Sequence, residues 1–197
     1  MKYLFITLVF FSQPVFAQET PATFWNNRCD FKTDGTGKSL GLKIKLSVPC
    51  VWTQADGERP HVVKKFSNSF GGGKSITANL TITKMPYEPS QKEVTEMFTQ
   101  KGLKELGSST GTYISGKKIK IEGIECAEII CKIERESPVA KVYIYAISYY
   151  IIYKDKIINL FYASGAANNL DAKKLFDTYK VLFQGLATNT VILSKWE

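Results

Sequence analysis

The stretch PVAKVYIYAISYYIIYKDKIINLFYASG, residues Pro138 to Gly165, decides the fold of this chain. Apolar and aromatic residues fill it on both sides of the charged triplet Lys154-Asp155-Lys156. Successive side chains of a β-strand point to opposite faces, and here the alternate sets that begin at Val142 and Tyr143 are both apolar. The stretch therefore predicts two long strands joined by a turn at the triplet, with both faces covered by other elements.

Other alternating runs lie before this hairpin. Apolar and polar residues alternate from Gly41 to Cys50, and further strand patterns run from His61 to Ser69 and from Ser75 to Lys84. The glycine cluster of residues 71–73 is typical of an antiparallel hairpin. A phosphate-binding loop leads into a helix, whereas a strand pattern follows this cluster, so the sequence predicts a turn there.

Two segments have the pattern of amphipathic helices. Ser90 and Glu93 form a capping box, and apolar residues follow at helical spacing towards a stop near Gly102 or Gly107. A second stripe spans residues 175–186. Further strands are predicted over residues 112–122 (a short hairpin or bulged strand), 127–135 and 188–193. The sum is an α+β fold: an antiparallel sheet of about six or seven strands, with an inserted helix and a C-terminal helix packed on it.

The N-terminus has the pattern of an export signal. Lys2 precedes the apolar run Tyr3 to Phe11, and Val15-Phe16-Ala17 offers the residues that a signal peptidase reads. We expect residues 1–17 to be a signal peptide cleaved after Ala17, with an uncleaved anchor as the alternative. A periplasmic or secreted location follows. Residues 18–40 then form an N-terminal arm, and residues 41–193 a single domain.

Four cysteines remain in the exported chain: Cys29, Cys50, Cys126 and Cys131. An oxidising compartment favours disulfides. On one continuous strand Cys126 and Cys131 would lie about 16 Å apart, beyond the roughly 7 Å between Cα atoms that a disulfide tolerates. Their pairing would need a bulge or turn between them. Cys29 with Cys50 is the first expectation, because it would close the N-terminal arm onto the end of the first strand, although sequence alone leaves the three pairings open. The cysteine spacing and the single histidine predict no metal, and no cofactor is predicted.

The chain carries a net charge of +8, with its lysines spread along it. Most of these lysines alternate with apolar residues, which is typical of solvated strand faces. The excess would assist encounter with anionic surfaces. An exported chain without a binding motif is not expected to bind nucleic acid. No transmembrane segment is predicted in the mature chain, because the apolar run Val142 to Tyr153 is cut short by charge.

Five segments carry a likeness to a known family: LKIKLSVPCVW (42–52), SITANLTI (75–82), SQKEVTEMF (90–98), YIIYKDKIINLFYASG (150–165) and KKLFDTYKVLF (173–183). Their order resembles the PsbP-like superfamily, which includes the DcrB-like bacterial envelope proteins. The resemblance covers most of Gly41 to Leu186. It implies the same α+β fold and a binding or assembly-accessory role, and it supplies no catalytic constellation. The expected partner is therefore a protein or an anionic envelope component.

The candidate recognition loops hold five residues: Asp56, Glu58, Arg59, His61 and Lys74. We expect an exported, soluble, non-catalytic protein that binds through these loops. A small periplasmic hydrolase using His61 with a nearby acid is one alternative, although no serine has the context of a nucleophile elbow. A secreted inhibitor that presents a disulfide-fixed loop, Cys50 to Pro60, is another.

Two other clusters are expected to be structural. The tyrosines of the long hairpin are more typical of a packed core than of a binding cleft. The carboxylates of Glu122, Glu128 and Glu134 share one strand face, where lysines of neighbouring strands can pair with them.

Overall fold

The computed structural model describes residues 20–136 and 140–196, so the expected signal peptide, residues 1–17, lies outside the described residues. Four helices and ten strands follow in chain order, with two short 3₁₀ turns at Gly37–Ser39 and Leu193–Lys195. The elements are α1 (Pro21–Asn26), β1 (Arg28–Lys32), β2 (Ile44–Pro49), β3 (Thr53–Asp56), β4 (Val62–Gly71), β5 (Lys74–Lys84), α2 (Gln91–Met97), α3 (Gln100–Thr110), β6 (Thr112–Ile121), β7 (Ile124–Glu136), β8 (Lys141–Tyr153), β9 (Lys156–Ala166), α4 (Asn169–Thr188) and β10 (Val191–Ile192).

The predicted α+β fold is confirmed. Seven strands form the main sheet in the order β3-β4-β5-β9-β8-β7-β6, and every neighbouring pair is antiparallel. The long hairpin β8–β9 lies in this sheet, with Lys154 and Asp155 as its turn. The glycine cluster joins β4 to β5, and all three of its residues have positive φ, which glycine adopts without a steric penalty. The expected bulged strand is β6, whose register shifts between Tyr113 and Ser115.

A second sheet differs from the expectation. The alternating strand after Gly41 does not join the main sheet; β2 pairs instead with β1 and β10. Its alternate residues from Ile44 to Val48 are buried and face the core of the main sheet. The ring of Phe31 on β1 meets that of Phe66 on β4 at 5.4 Å. Residues of the expected N-terminal arm thus contribute a helix and a strand to the packed structure.

One face of the main sheet is covered by α4. The rings of Tyr162 and Phe183 stack at 5.6 Å, and Tyr149 meets Tyr162 edge-on at 6.2 Å. The side chain of Asn168 caps the helix by accepting a hydrogen bond from the Asp171 amide at 2.8 Å. The tyrosines on this face of β8 and β9 are therefore part of the core, as the sequence predicted.

The opposite face is covered only over part of its area. The capping box at Ser90 opens α2, as predicted, but the helix ends at Met97 and a second helix starts at Gln100. The reason is a new cap: the Thr99 side chain accepts a hydrogen bond from the Gly102 amide at 3.3 Å. Helices α2 and α3 bury Ala127 and Ile129 of the sheet. Farther along the same face, Ile133, Ile144 and Phe161 remain partly exposed. We call that remainder the open sheet face.

The cysteines divide into two kinds. Cys29 and Cys50 form the expected disulfide, which joins β1 to the residue that follows β2. Cys126 and Cys131 are free, buried thiols, so the expectation of further oxidation is wrong for them. They lie on opposite faces of the continuous strand β7, where their side chains point apart. Burial raises the pKa of both thiols, that of Cys131 to about 11.

Among the described residues, no helix combines the length and the apolar character needed to cross a membrane.

We expect Ellman's reagent to modify essentially no thiol in the native protein and two thiols after unfolding in guanidinium without reductant. The reason is that the thiols of Cys126 and Cys131 are buried and protonated in the native state. The matched control is Cys126→Ala, which should release one thiol on unfolding. Recovery of no thiol from the unfolded chain would mean that these cysteines form a disulfide.

The disulfide should stabilise the folded chain. It closes a sequence separation of 21 residues, so replacing both Cys29 and Cys50 with serine should lower the free energy of unfolding by about 3 kcal/mol. Equilibrium unfolding in urea, with and without reductant, measures the difference. A loss below about 0.5 kcal/mol would contradict a stabilising role.

Candidate binding cleft

The five predicted loop residues do not form one surface. Asp56 ends β3, and His61 stands just before β4, whereas Lys74 opens β5 beyond the hairpin turn. His61 and Lys74 therefore lie at opposite ends of β4, about 30 Å apart along a strand of this length. The two predicted loops therefore need separate consideration.

The acids near His61 are paired with lysines. The Lys64 ammonium lies 2.8 Å from the Asp56 carboxylate, and the Lys65 ammonium 2.9 Å from that of Glu58. These hydrogen bonds and charges hold the pKa of each carboxyl below its ordinary value. Both acids thus neutralise β4 lysines rather than orient His61, and the hydrolase alternative finds no catalytic pair here.

The segment Cys50 to Pro60 is not a free loop. Residues Thr53–Asp56 pair with β4 as its outer neighbour, and Trp52 is buried in the core. In the inhibitor alternative, the presented element would therefore be an exposed edge strand anchored to the sheet rather than a free loop.

The predicted carboxylate face is structural. Glu134 lies 2.7 Å from the Lys132 ammonium and 2.8 Å from that of Lys141, and these hydrogen bonds lower its pKa to about 2. Glu128 is only 6% exposed; it accepts a hydrogen bond from the Tyr149 hydroxyl at 3.1 Å and lies 3.3 Å from the Lys117 ammonium. Burial, with the Glu128 charge second, raises the pKa of Tyr149. This buried group ties β6, β7 and β8 together.

The surroundings of Lys74 are different, because a cleft of about 500 Å³ opens there. Its walls come from the start of α1, the β4–β5 hairpin and the first half of α4. We call it the Lys74 cleft, and its lining residues are Thr20, Pro21, Phe70, Lys74, Asp171, Lys174, Leu175, Thr178 and Tyr179.

The polar end of the Lys74 cleft holds two cations and one anion. The Lys74 ammonium lies 3.2 Å from Asp171, whose other contact is the Asn168 amide nitrogen at 3.0 Å. The hydrogen bond from Asn168, followed by that from Lys74, lowers the pKa of Asp171. The Lys174 charge acts on the same carboxylate. The carboxylate is therefore ionised at neutral pH, and the cluster keeps one excess positive charge.

The apolar wall of the Lys74 cleft is held by aromatic packing. The ring of Phe70 lies 5.4 Å from that of Tyr179, and buried Phe24 of α1 lies 5.8 Å from Tyr179. Phe24 also meets Trp52 at 5.8 Å. Phe24 and Tyr179 are buried in the core and Phe70 packs against it, so the wall is built from core packing of the chain itself.

A second concave surface of about 400 Å³ adjoins the first at Pro21 and runs between α1 and α4. Gly185 lets the Trp25 ring lie against α4, since a Cβ there would come within 2.5 Å of the ring. Val181 is 74% exposed on the far side. We call this surface the α1–α4 groove, and its lining residues are Pro21, Ala22, Trp25, Asn26, Val181, Leu182 and Gly185.

The open sheet face offers a smaller alternative of about 220 Å³. Ser75, Thr77 and Asn79 line one side of it, and aliphatic residues of β7 and β8 line the other. It holds one charged side chain, Arg135. Among the described residues, no group of three or more histidine, cysteine or acidic side chains could hold a metal ion.

Comparisons with known proteins show a similarity to solved structures. No family model matches the chain, and no curated protein matches it in sequence. The solved structure of LpqN, which is involved in cell envelope biogenesis of Mycobacterium tuberculosis, aligns with 88% of this chain and 97% of its own. The sequence identity is 14% and the TM-score 0.45. Membership of the PsbP-like superfamily stays a prediction.

Sequence reasoning found only Lys74 in this cleft. The signal for α1 was present, because Thr20 is a good cap and Pro21 suits the first helical position. A helix of six residues, however, is too short to be stable by itself. Asp171 and Lys174 belong to a distant helix, and only the tertiary packing of α4 brings them to Lys74.

Replacement of Lys74 with glutamine should leave stability almost unchanged, with a Tm within about 2 °C of the wild-type value, because partly exposed ion pairs contribute little. Phe183→Ala, in the core beside Tyr162, should instead lower the free energy of unfolding by about 3–5 kcal/mol. Thermal unfolding followed by circular dichroism makes the comparison. A large loss from Lys74→Gln would assign this lysine to the fold rather than to binding.

Proposed function

We propose that this chain is an exported, non-catalytic binding or assembly-accessory protein of the cell envelope, and that it recognises its partner through the Lys74 cleft. The disulfide supports a location outside the reducing cytosol. The export signal pattern of residues 1–17 agrees with that location.

The observation that carries the proposal is the composition of the Lys74 cleft. Two lysines stand beside an apolar wall of Phe70 and Tyr179, and each wall belongs to an element fixed by the core. Binding sites are usually concave, mostly apolar and preformed, with a few polar groups that orient the ligand. The arrangement supports binding, whereas His61 has no arrangement that supports catalysis.

The charge of the chain favours an anionic partner. The net charge of +8 raises the encounter rate with an anionic component of the envelope. The excess positive charge of the Lys74 cleft then attracts the anionic group to this part of the surface. The partner class is therefore a protein or another envelope component that presents negative charge at its contact surface.

Photocrosslinking in the producing cell tests this function. The photoreactive residue p-benzoylphenylalanine would replace Thr178 in the cleft and, as the matched control, Thr95 on α2. Both threonines are on helices and donate to the carbonyl four residues earlier at 2.9 Å. We expect a discrete product from position 178 that excess unmodified protein suppresses, and none from position 95. Equal labelling at both positions, or no product at either, would contradict the proposal.

A further inference from the structure

The Lys74 cleft and the α1–α4 groove form one path along α4. They meet at Pro21, which lines both. The path runs from Asp171 near the start of α4 to Gly185 near its end, which corresponds to roughly 21 Å at the helical rise per residue. Its two ends differ in character: the first is charged, and the second is lined almost entirely by apolar atoms.

The charged end favours a single anion. Lys74 and Lys174 face one carboxylate, that of Asp171, so one positive charge is left uncompensated there. The N-terminus of α4, a helix of 20 residues, lies beside this cluster and adds the positive end of its dipole. A small anionic group would therefore be attracted to this end.

The apolar end favours a hydrocarbon chain. Trp25 forms one wall and Val181 and Leu182 form the other, and the pairing of Trp25 with Gly185 closes the far end. Val181 is 74% exposed without a covering element in the described part of the chain. Covering these surfaces would be favourable by about 25 cal/mol for each Å² of apolar area removed from water.

We propose that this path binds an amphiphile with one anionic headgroup and one hydrocarbon chain. The headgroup lies between Lys74 and Lys174, and the chain follows the groove between Trp25 and Val181. This inference rests on the binding role proposed above and names the class of ligand. The charge complementarity at one end and the apolar lining at the other distinguish such a ligand from a neutral lipid or a free anion.

The role of Asp171 gives the inference a distinctive consequence. Its carboxylate competes with the ligand's headgroup for Lys74, so Asp171→Asn should tighten binding several-fold. Asparagine keeps the shape of the side chain and the main-chain amide that Asn168 caps. Because exposed apolar surface of a partly unfolded chain would also bind an amphiphile, the test requires that Asp171→Asn keeps the wild-type Tm and one saturable site.

Intrinsic tryptophan fluorescence can follow binding of dodecyl phosphate to the exported form of the protein, below the micelle concentration of the probe. Trp25 lines the groove, whereas Trp52 is buried and Trp196 is exposed elsewhere. We expect a saturable change that Trp25→Phe removes. Dodecyl maltoside should bind at least tenfold more weakly, and inorganic phosphate should give no change. Equal binding of the maltoside would overturn the role of the anion, and a response to phosphate alone would overturn the role of the chain.

Variants locate the site. Lys74→Gln with Lys174→Gln should weaken binding of dodecyl phosphate at least tenfold, and Val181→Asp should weaken it similarly. The matched control is Lys101→Gln with Lys104→Gln on α3, which removes the same charge and also includes one salt-bridged lysine. Unchanged affinity in the cleft variants, with their fold verified by circular dichroism, would overturn the proposal.

The test of the ligand class and the test of the proposed function can fail independently of each other. If position 178 crosslinks a protein in the cell while dodecyl phosphate does not bind, the ligand class is wrong and the binding role stands. If dodecyl phosphate binds at this path while position 178 gives no product, the ligand class stands and the envelope role is wrong.

Discussion

The packing of α4 on the β8–β9 hairpin is the constraint on which the rest of this structure depends. Tyr149 and Tyr162 present aromatic rings to one face of the sheet, and Phe183 of α4 covers them. Each such side chain buries roughly 150–250 Å². A hairpin without this cover would expose that apolar area to water, which is unfavourable. Once α4 is fixed there, its outer side and its first turn have fixed positions as well. That packing positions Asp171 and Lys174 in the Lys74 cleft and Val181 in the α1–α4 groove.

The polar groups of the protein divide into two kinds by burial. Glu128 is enclosed between strands, where the Tyr149 hydroxyl and the Lys117 ammonium satisfy its carboxylate. Removal of Lys117 would leave one oxygen of this buried carboxylate without its cation, which is costly. The Lys74–Asp171 pair lies at the rim of a cleft, where water can replace either partner. The first kind maintains the sheet, and the second is available for recognition.

Local signals in the sequence predicted most of the fold. The alternation of β2, β4, β5 and β7 to β9, the capping box at Ser90 and the apolar stripe of α4 are set by neighbouring residues, and the structure confirms each of them. Strand β3 (Thr53–Asp56) was not predicted. The pairing of Cys29 with Cys50 was the first expectation among three open pairings, and the structure confirms it. The membership of β2 in a separate sheet was not predictable in this way, because alternation does not tell which strand is the neighbour.

The Lys74 cleft could not be predicted from local sequence patterns either, because its residues come together only through tertiary packing. Helix α1 is stable only because Phe24 enters the core beside Tyr179, and this contact joins the two ends of the chain. Lys74 was correctly placed at a turn, but its partners come from α4. The expected covering of both hairpin faces is only partly met, because α2 and α3 are short and reach only the part of the sheet around Ile129.

The central claim is that recognition takes place along α1 and α4 rather than on the open sheet face. Amide chemical-shift mapping of the ¹⁵N-labelled protein, titrated with dodecyl phosphate below its micelle concentration, tests it most directly. We predict that the largest shifts fall on Lys74, Asp171, Val181 and the Trp25 indole N–H. The shifts should saturate as expected for one ligand molecule bound to each protein molecule. Largest shifts around Ile144 and Phe161 on the open sheet face, or no saturable shifts at all, would contradict it.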